Sequence, residues 1–230
     1  MASNLAGRAG TALLDLVYPR RCAGCGKRGV WLCVPCEAAG QLFSGSLCTV
    51  CGVPERDAGC LCGVLPQGID QVRSVGPYEG WLRSAVIQMK YGGEWARARH
   101  LAPWLANACE ELLPADALVP VPLHPARRKQ RGFNQTEKLA EALGAELAVP
   151  VEVNLRRTRK TAPQVRLDAE GRQRNVDGAF ELVAGASVVG KRLILVDDVI
   201  TTGATLGACA QVLRAGGATG VSVITLAREL

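Results

Sequence analysis

A chain of 230 residues with 48% hydrophobic and 21% charged residues has room for one α/β domain and a small appendage, and its composition excludes a disordered or fibrous protein. Aromatic residues make up only 4%, so the interior has to be aliphatic, and no stretch approaches the roughly 18 apolar residues of a membrane span. The net charge of +6 is concentrated in the span 120–175, where twelve Lys or Arg face six Asp or Glu, a field that suits an anionic partner such as a phosphorylated small molecule or a nucleic acid.

In chain order, residues 1–20 come first. Leu5, Ala9, Ala12, Leu13, Leu16 and Val17 repeat at helical spacing and pass directly into Tyr18-Pro19-Arg20-Arg21-Cys22. This pattern predicts a short docking helix rather than a secretion signal, no membrane insertion, and a cytoplasmic protein.

Residues 21–69 hold eight of the ten cysteines: Cys22 and Cys25, Cys33 and Cys36, Cys48 and Cys51, Cys60 and Cys62. Three pairs are C-x-x-C and the last is C-x-C. Two thiolates at that spacing grip one face of a tetrahedral zinc when backbone amides in the turn point at the sulfurs. Disulfides are the competing explanation, but reduced, closely paired thiols in a cytosolic chain favour metal. In-order pairing predicts a double zinc ribbon with one site from the first four cysteines and one from the second four. The irregular C-x-C leaves one or two ions open. Four sulfurs close each site, so the metal is structural, and a segment this poor in large apolar side chains needs such a staple to fold.

From residue 70 to 230 strands alternate with helices. Strands are predicted at 71–76, 117–122, 151–154, 193–197 and 220–226, and helices at 81–90, 95–112, 134–145 and 205–215. This is the pattern of a mostly parallel sheet flanked by helices. The run Leu193-Ile194-Leu195-Val196 reads as a central strand buried on both faces. Asp197 and Asp198 follow, then Thr201, Thr202, Gly203, Ala204 and Thr205 lead into a helix. Backbone amides and the helix dipole at such a loop make a phosphate site. Two carboxylates beside a phosphate make sense when they face sugar hydroxyls or a nearby Mg²⁺. The loop is not a Walker A, since no G-K-[ST] follows.

DDVITTGATL resembles the ribose-phosphate motif of the type I phosphoribosyltransferases. That resemblance implies that Asp197 and Asp198 take the ribose hydroxyls of phosphoribosyl pyrophosphate (PRPP), with Mg²⁺, and that residues 201–205 hold its 5′-phosphate. The order of the cysteine pairs, VPVPLH, RRKQRGFNQTEKLA, RTRKTAPQVRLDAEGRQRNVDGAF and VDDVITTGATL resembles the ComF family, from about Leu13 to Arg228, with RGFNQ the most diagnostic piece. It implies a type I phosphoribosyltransferase-like domain behind a zinc-binding module, and a role in natural transformation.

By the same resemblance the loop at Pro120, Val121 and Pro122 receives pyrophosphate. Arg127 and Arg131 follow at once, and arginine forks match phosphate oxygens. Asn134 is an N-cap candidate, with capping alone as the competing role of Asn134 and Gln135. Phe133 fits either core packing or base stacking. Lys90 is a ligand candidate at a helix end, where a lysine also suits the dipole, and His124 stands beside the pyrophosphate loop. The polar span 156–178 corresponds to the loop that closes over the bound sugar.

Three functional readings follow. One is a phosphoribosyltransferase moving the group from PRPP to a nitrogen acceptor. A second keeps the PRPP site while the basic region binds single-stranded DNA during DNA uptake. In the third the ribbons dock a competence helicase or an uptake-machinery protein.

Overall fold

The computed structural model describes residues 20–55, 60–159 and 178–230. The docking helix expected over 1–20 and most of the 156–178 loop lie outside them. The elements in chain order are α1 (Val34–Ala38), β1 (Val72–Pro77), α2 (Gly80–Tyr91), α3 (Arg97–Cys109), β2 (Ala117–Pro120), α4 (Pro125–Arg131), α5 (Gln135–Leu147), β3 (Leu155–Arg157), β4 (Phe180–Leu182), β5 (Arg192–Ile200), α6 (Ala204–Ala215) and β6 (Gly220–Arg228).

Four strands form one sheet in the order β1-β6-β5-β2, every neighbouring pair parallel. Parallel strands need crossovers, and the helices between them cover both faces. The uninterrupted aliphatic run of β5 follows from this. Ile194 and Val196 pack into the core shared with α2, α3 and α5, whereas Leu193 and Leu195 pack into the core shared with α6. All four are at most 1% exposed. Truncating any of them to alanine removes buried methyl groups and leaves a cavity, at about 2–5 kcal/mol for a leucine or isoleucine.

Two boundaries differ from the expected ones for a physical reason. β5 continues to Ile200 because β6 pairs with it as far as Ile200 with Arg228, so the two acids lie inside the strand. β2 ends at Pro120, opposite Val196, and the prolines that follow cannot extend the ladder. The acid pair therefore emerges where β5 loses one neighbour and keeps the other. The strand expected at 151–154 reduces to a bridge from Val151 to Leu118. A separate antiparallel pair, β3 with β4, was not anticipated.

The cysteine-rich segment is fastened to the α/β domain by buried arginines. Arg97, 1% exposed, donates from Nη1 to Trp31 O (2.7 Å) and from Nη2 to Arg21 O (2.9 Å), while its guanidinium covers the Trp31 ring at 4.7 Å. Arg73 reaches Thr49 O at 3.0 Å, and Arg228, on the last strand, donates to Cys51 O. Such forks satisfy loop carbonyls that would otherwise be buried without partners.

Candidate functional site

The four sulfurs of Cys22, Cys25, Cys33 and Cys36 lie within 4.8 Å of one another, and so do those of Cys48, Cys51, Cys60 and Cys62. Tetrahedral zinc with bonds of about 2.3 Å implies sulfur–sulfur edges of about 3.8 Å. The observed separations fit: 3.6 Å for Cys22–Cys33, 3.7 Å for Cys25–Cys33, 3.6 Å for Cys48–Cys60 and 3.9 Å for Cys51–Cys60. The C-x-C pair is tighter, with Cys60 and Cys62 at 2.8 Å. None of the ten cysteines is in a disulfide.

Electrostatics also call for a cation. Amides of Cys51 and Val50 hydrogen-bond the Cys48 sulfur and bring its pKa down to about 6. Hydrogen bonding to Cys33, then burial and the remaining sulfurs, push Cys36 up to about 12. Four sulfurs so close cannot all ionise together unless a metal supplies positive charge. Gly52 completes the second knuckle at φ 67°, where a Cβ would stand 2.3 Å from Val72 O.

The second site is an open cleft of about 1730 Å³ at the carboxyl end of the sheet. Asp197, Asp198, Thr201, Gly203, Ala204 and Thr205 line it, with Val121, Pro122, Arg127 and Arg131. Pro120 is buried in β2, and Thr202 is not among the lining residues. His124 caps α4, its Nδ1 accepting from Ala126 N at 3.2 Å. The basic run 127–131 is thus a helix, unforeseen from the sequence, that presents Arg127 and Arg131 to the cleft.

RGFNQ acquires a structural reason here. Asn134 caps α5, Oδ1 accepting from Thr136 N, and its Nδ2 donates to Val121 O at 3.2 Å. Gln135 Nε2 donates to Asp198 Oδ2 at 2.9 Å, and its Oε1 accepts from Arg131 Nη1 at 3.0 Å. The motif therefore ties the proline loop to the acid pair. On the other side, Lys90 Nζ lies 2.7 Å from Asp198 Oδ1. Burial is the largest single influence on Lys90 and lowers its pKa, but the Asp198 charge and hydrogen bond, with the charges of Asp197 and Tyr78, together outweigh it and hold it above its usual value. Asp197 accepts from Asp198 N at 2.8 Å, and burial together with the Asp198 charge raises its pKa to about 7.

The loop 201–205 depends on Gly203, which caps α6 at φ 74°. Packing explains the glycine, since Pro66, four residues after Cys62, packs on this turn and on Gly207.

Five of the ten aromatic residues converge on the cleft: Trp31, Tyr78, Tyr91, Trp95 and Phe133. Arg131 covers the Tyr91 ring at 5.1 Å, and Tyr91 and Trp95 are 75% and 50% exposed. Arg20, Arg21 and Trp31 bring the first ribbon into the cleft wall. No composition or spacing signal announced this wall.

Residues 13–65 match the family described as double zinc ribbon domain, and residues 129–230 match the phosphoribosyl transferase domain. The chain is 33% identical to the DNA utilization protein YhgH of Escherichia coli (strain K12), covering 88% of this chain and 92% of that protein. It is 32% identical to competence protein F of Haemophilus influenzae (86% and 90% covered) and 30% identical to competence protein ComFC of Bacillus subtilis (86% and 84% covered). The chain belongs to the ComF family. As in the family pattern expected from the sequence, a cysteine-rich module with two four-cysteine groups precedes a phosphoribosyltransferase-like fold. Among the described residues no helix is long and apolar enough to cross a membrane.

Proposed function

We propose that this chain binds PRPP with Mg²⁺ in the cleft and handles single-stranded DNA in the cytoplasm during DNA uptake. The observation that carries the PRPP reading is the convergence of the acid pair, the loop 201–205 and Arg127 and Arg131 on one cleft. Asp197 and Asp198 would accept from the ribose hydroxyls. Loop amides and the positive end of α6 would hold the 5′-phosphate. Arg127 and Arg131 would take the pyrophosphate, stabilising its charge as the bond from C1 to oxygen breaks and C1 gains a nitrogen acceptor. Carboxylate and phosphate oxygens are the donors Mg²⁺ prefers, and the ion would neutralise the leaving pyrophosphate.

The DNA reading is favoured by a separate observation, the aromatic wall beside Arg20, Arg21 and Arg131. Aromatic faces and basic side chains together suit unstacked bases on a phosphate backbone. The names of the relatives, a DNA utilization protein and two competence proteins, agree with that assignment.

A competition assay tests the PRPP reading. Ribose 5-phosphate, which carries the hydroxyls and the phosphate, is expected to displace labelled PRPP, and free ribose is not. Failure of ribose 5-phosphate to compete would remove the assignment of the acid pair and loop.

A further inference from the structure

Asp198 already has both carboxylate oxygens engaged, Oδ1 by Lys90 at 2.7 Å and Oδ2 by Gln135 at 2.9 Å. This is no surface ion pair. The Lys90 side chain is 22% exposed and that of Asp198 6%, so salt and water screen the contact little. A lysine in the last turn of a helix is explained by the helix dipole alone when it points to solvent. Lys90 instead turns inward from α2 onto the second acid of β5. Asp197 and Tyr78 are the other ionisable groups whose charge acts on Lys90, and Arg157 in turn acts on Asp197.

The consequence is electrostatic. Two adjacent carboxylates on a cleft floor repel a ligand carrying several negative charges, and at the effective dielectric of a protein surface one unit charge at contact distance is a large term. Gln135 orients Asp198 but brings no charge. Lys90 does both.

We infer that Lys90 is a positioning residue of the PRPP site: its ammonium is a built-in counter-charge that fixes Asp198 and admits an anionic sugar phosphate before any divalent cation contributes. The inference rests on the PRPP reading above. It separates two neutralising charges that are otherwise hard to tell apart, the fixed one for the sugar-phosphate end and Mg²⁺ for the pyrophosphate end.

Equilibrium dialysis of the full zinc-loaded chain with labelled PRPP, at low and at high Mg²⁺, tests it. Lys90→Gln, which keeps a hydrogen-bond donor and loses the charge, should bind about tenfold more weakly at low Mg²⁺ and regain most of that loss at high Mg²⁺. Lys90→Arg should stay near wild type at both. An equal loss at both Mg²⁺ levels, as a purely structural tie would give, overturns the inference, and so does unchanged binding by Lys90→Gln. A second measurement needs no variant: wild-type protein should bind ribose 5-phosphate with no Mg²⁺ present, and an absolute Mg²⁺ requirement there also overturns it. Wild type that binds no PRPP at either level removes the PRPP reading itself, and the inference with it.

Discussion

Pro66 packs against Gly203, so closely that a Cβ on Gly203 would lie 2.9 Å from Pro66 Cγ. The proline follows the second four-cysteine group and the glycine lies in the loop 201–205 at the start of α6, so the two parts of the molecule meet at the loop itself. Gly203→Ala combines a left-handed backbone, which costs an L-residue about 1–2 kcal/mol, with this contact. The expected outcome is a lower unfolding midpoint and weaker binding of ribose 5-phosphate. Unchanged values for both would show that the loop tolerates a side chain here.

Zinc removal should act on the whole chain. Cys22→Ser with Cys25→Ser leaves two sulfurs where four are needed, and the first ribbon supplies Trp31 O and Arg21 O to the Arg97 fork. Elemental analysis is expected to find zinc in the purified wild type and less in the variant, with a lower thermal midpoint. Wild type without zinc contradicts the reading of both cysteine groups.

Arg97→Ala leaves two backbone carbonyls and Glu94 without their buried donor, a loss of about 3–5 kcal/mol by analogy with broken buried ion pairs. Arg97→Lys is expected to recover little, because one ammonium cannot serve partners that the planar fork reaches together. Urea unfolding of the three proteins checks this, and a fully stable Arg97→Lys would show that charge alone suffices.

The titration of Asp197 gives a signed pH dependence. Its pKa rises from 3.8 to about 7 in the folded protein, through burial first and the Asp198 charge second, with Lys90 and Arg157 opposing. Between about pH 4 and pH 7 the folded state holds the proton more tightly than the unfolded state does. This group's contribution to stability is therefore greatest below pH 4 and is lost as pH rises through about 7. Asp197→Asn, which cannot ionise, should gain stability relative to wild type as pH goes from 5 to 8. A constant difference over that range would place Asp197 in an unstrained, ionised state.

The contrast between what was readable and what was not has a physical basis. The central strand, its two acids and the loop after them were legible because a both-sides-buried strand is continuously aliphatic, and departures from that run stand out. The cysteine groups were legible because metal ligation fixes local spacing. Lys90, Gln135 and Asp198 belong to one cluster but come from three distant segments, and a single lysine at a helix end has the same local signature whether it meets water or a carboxylate. Arg73, Arg97 and Arg228 escaped for the same reason, since a lone arginine carries no periodicity. The aromatic wall escaped because an aromatic content of 4% says nothing about where ten rings gather.

The central claim is that the acid pair and its loop form a PRPP site. Calorimetric titration of PRPP into the zinc-loaded chain, beside the Asp197→Asn/Asp198→Asn variant, tests it most directly. The account predicts saturable binding in the wild type, strengthened by Mg²⁺, and its loss in a variant that still unfolds cooperatively. Equal affinity in the two proteins, or no binding by the wild type, would contradict it.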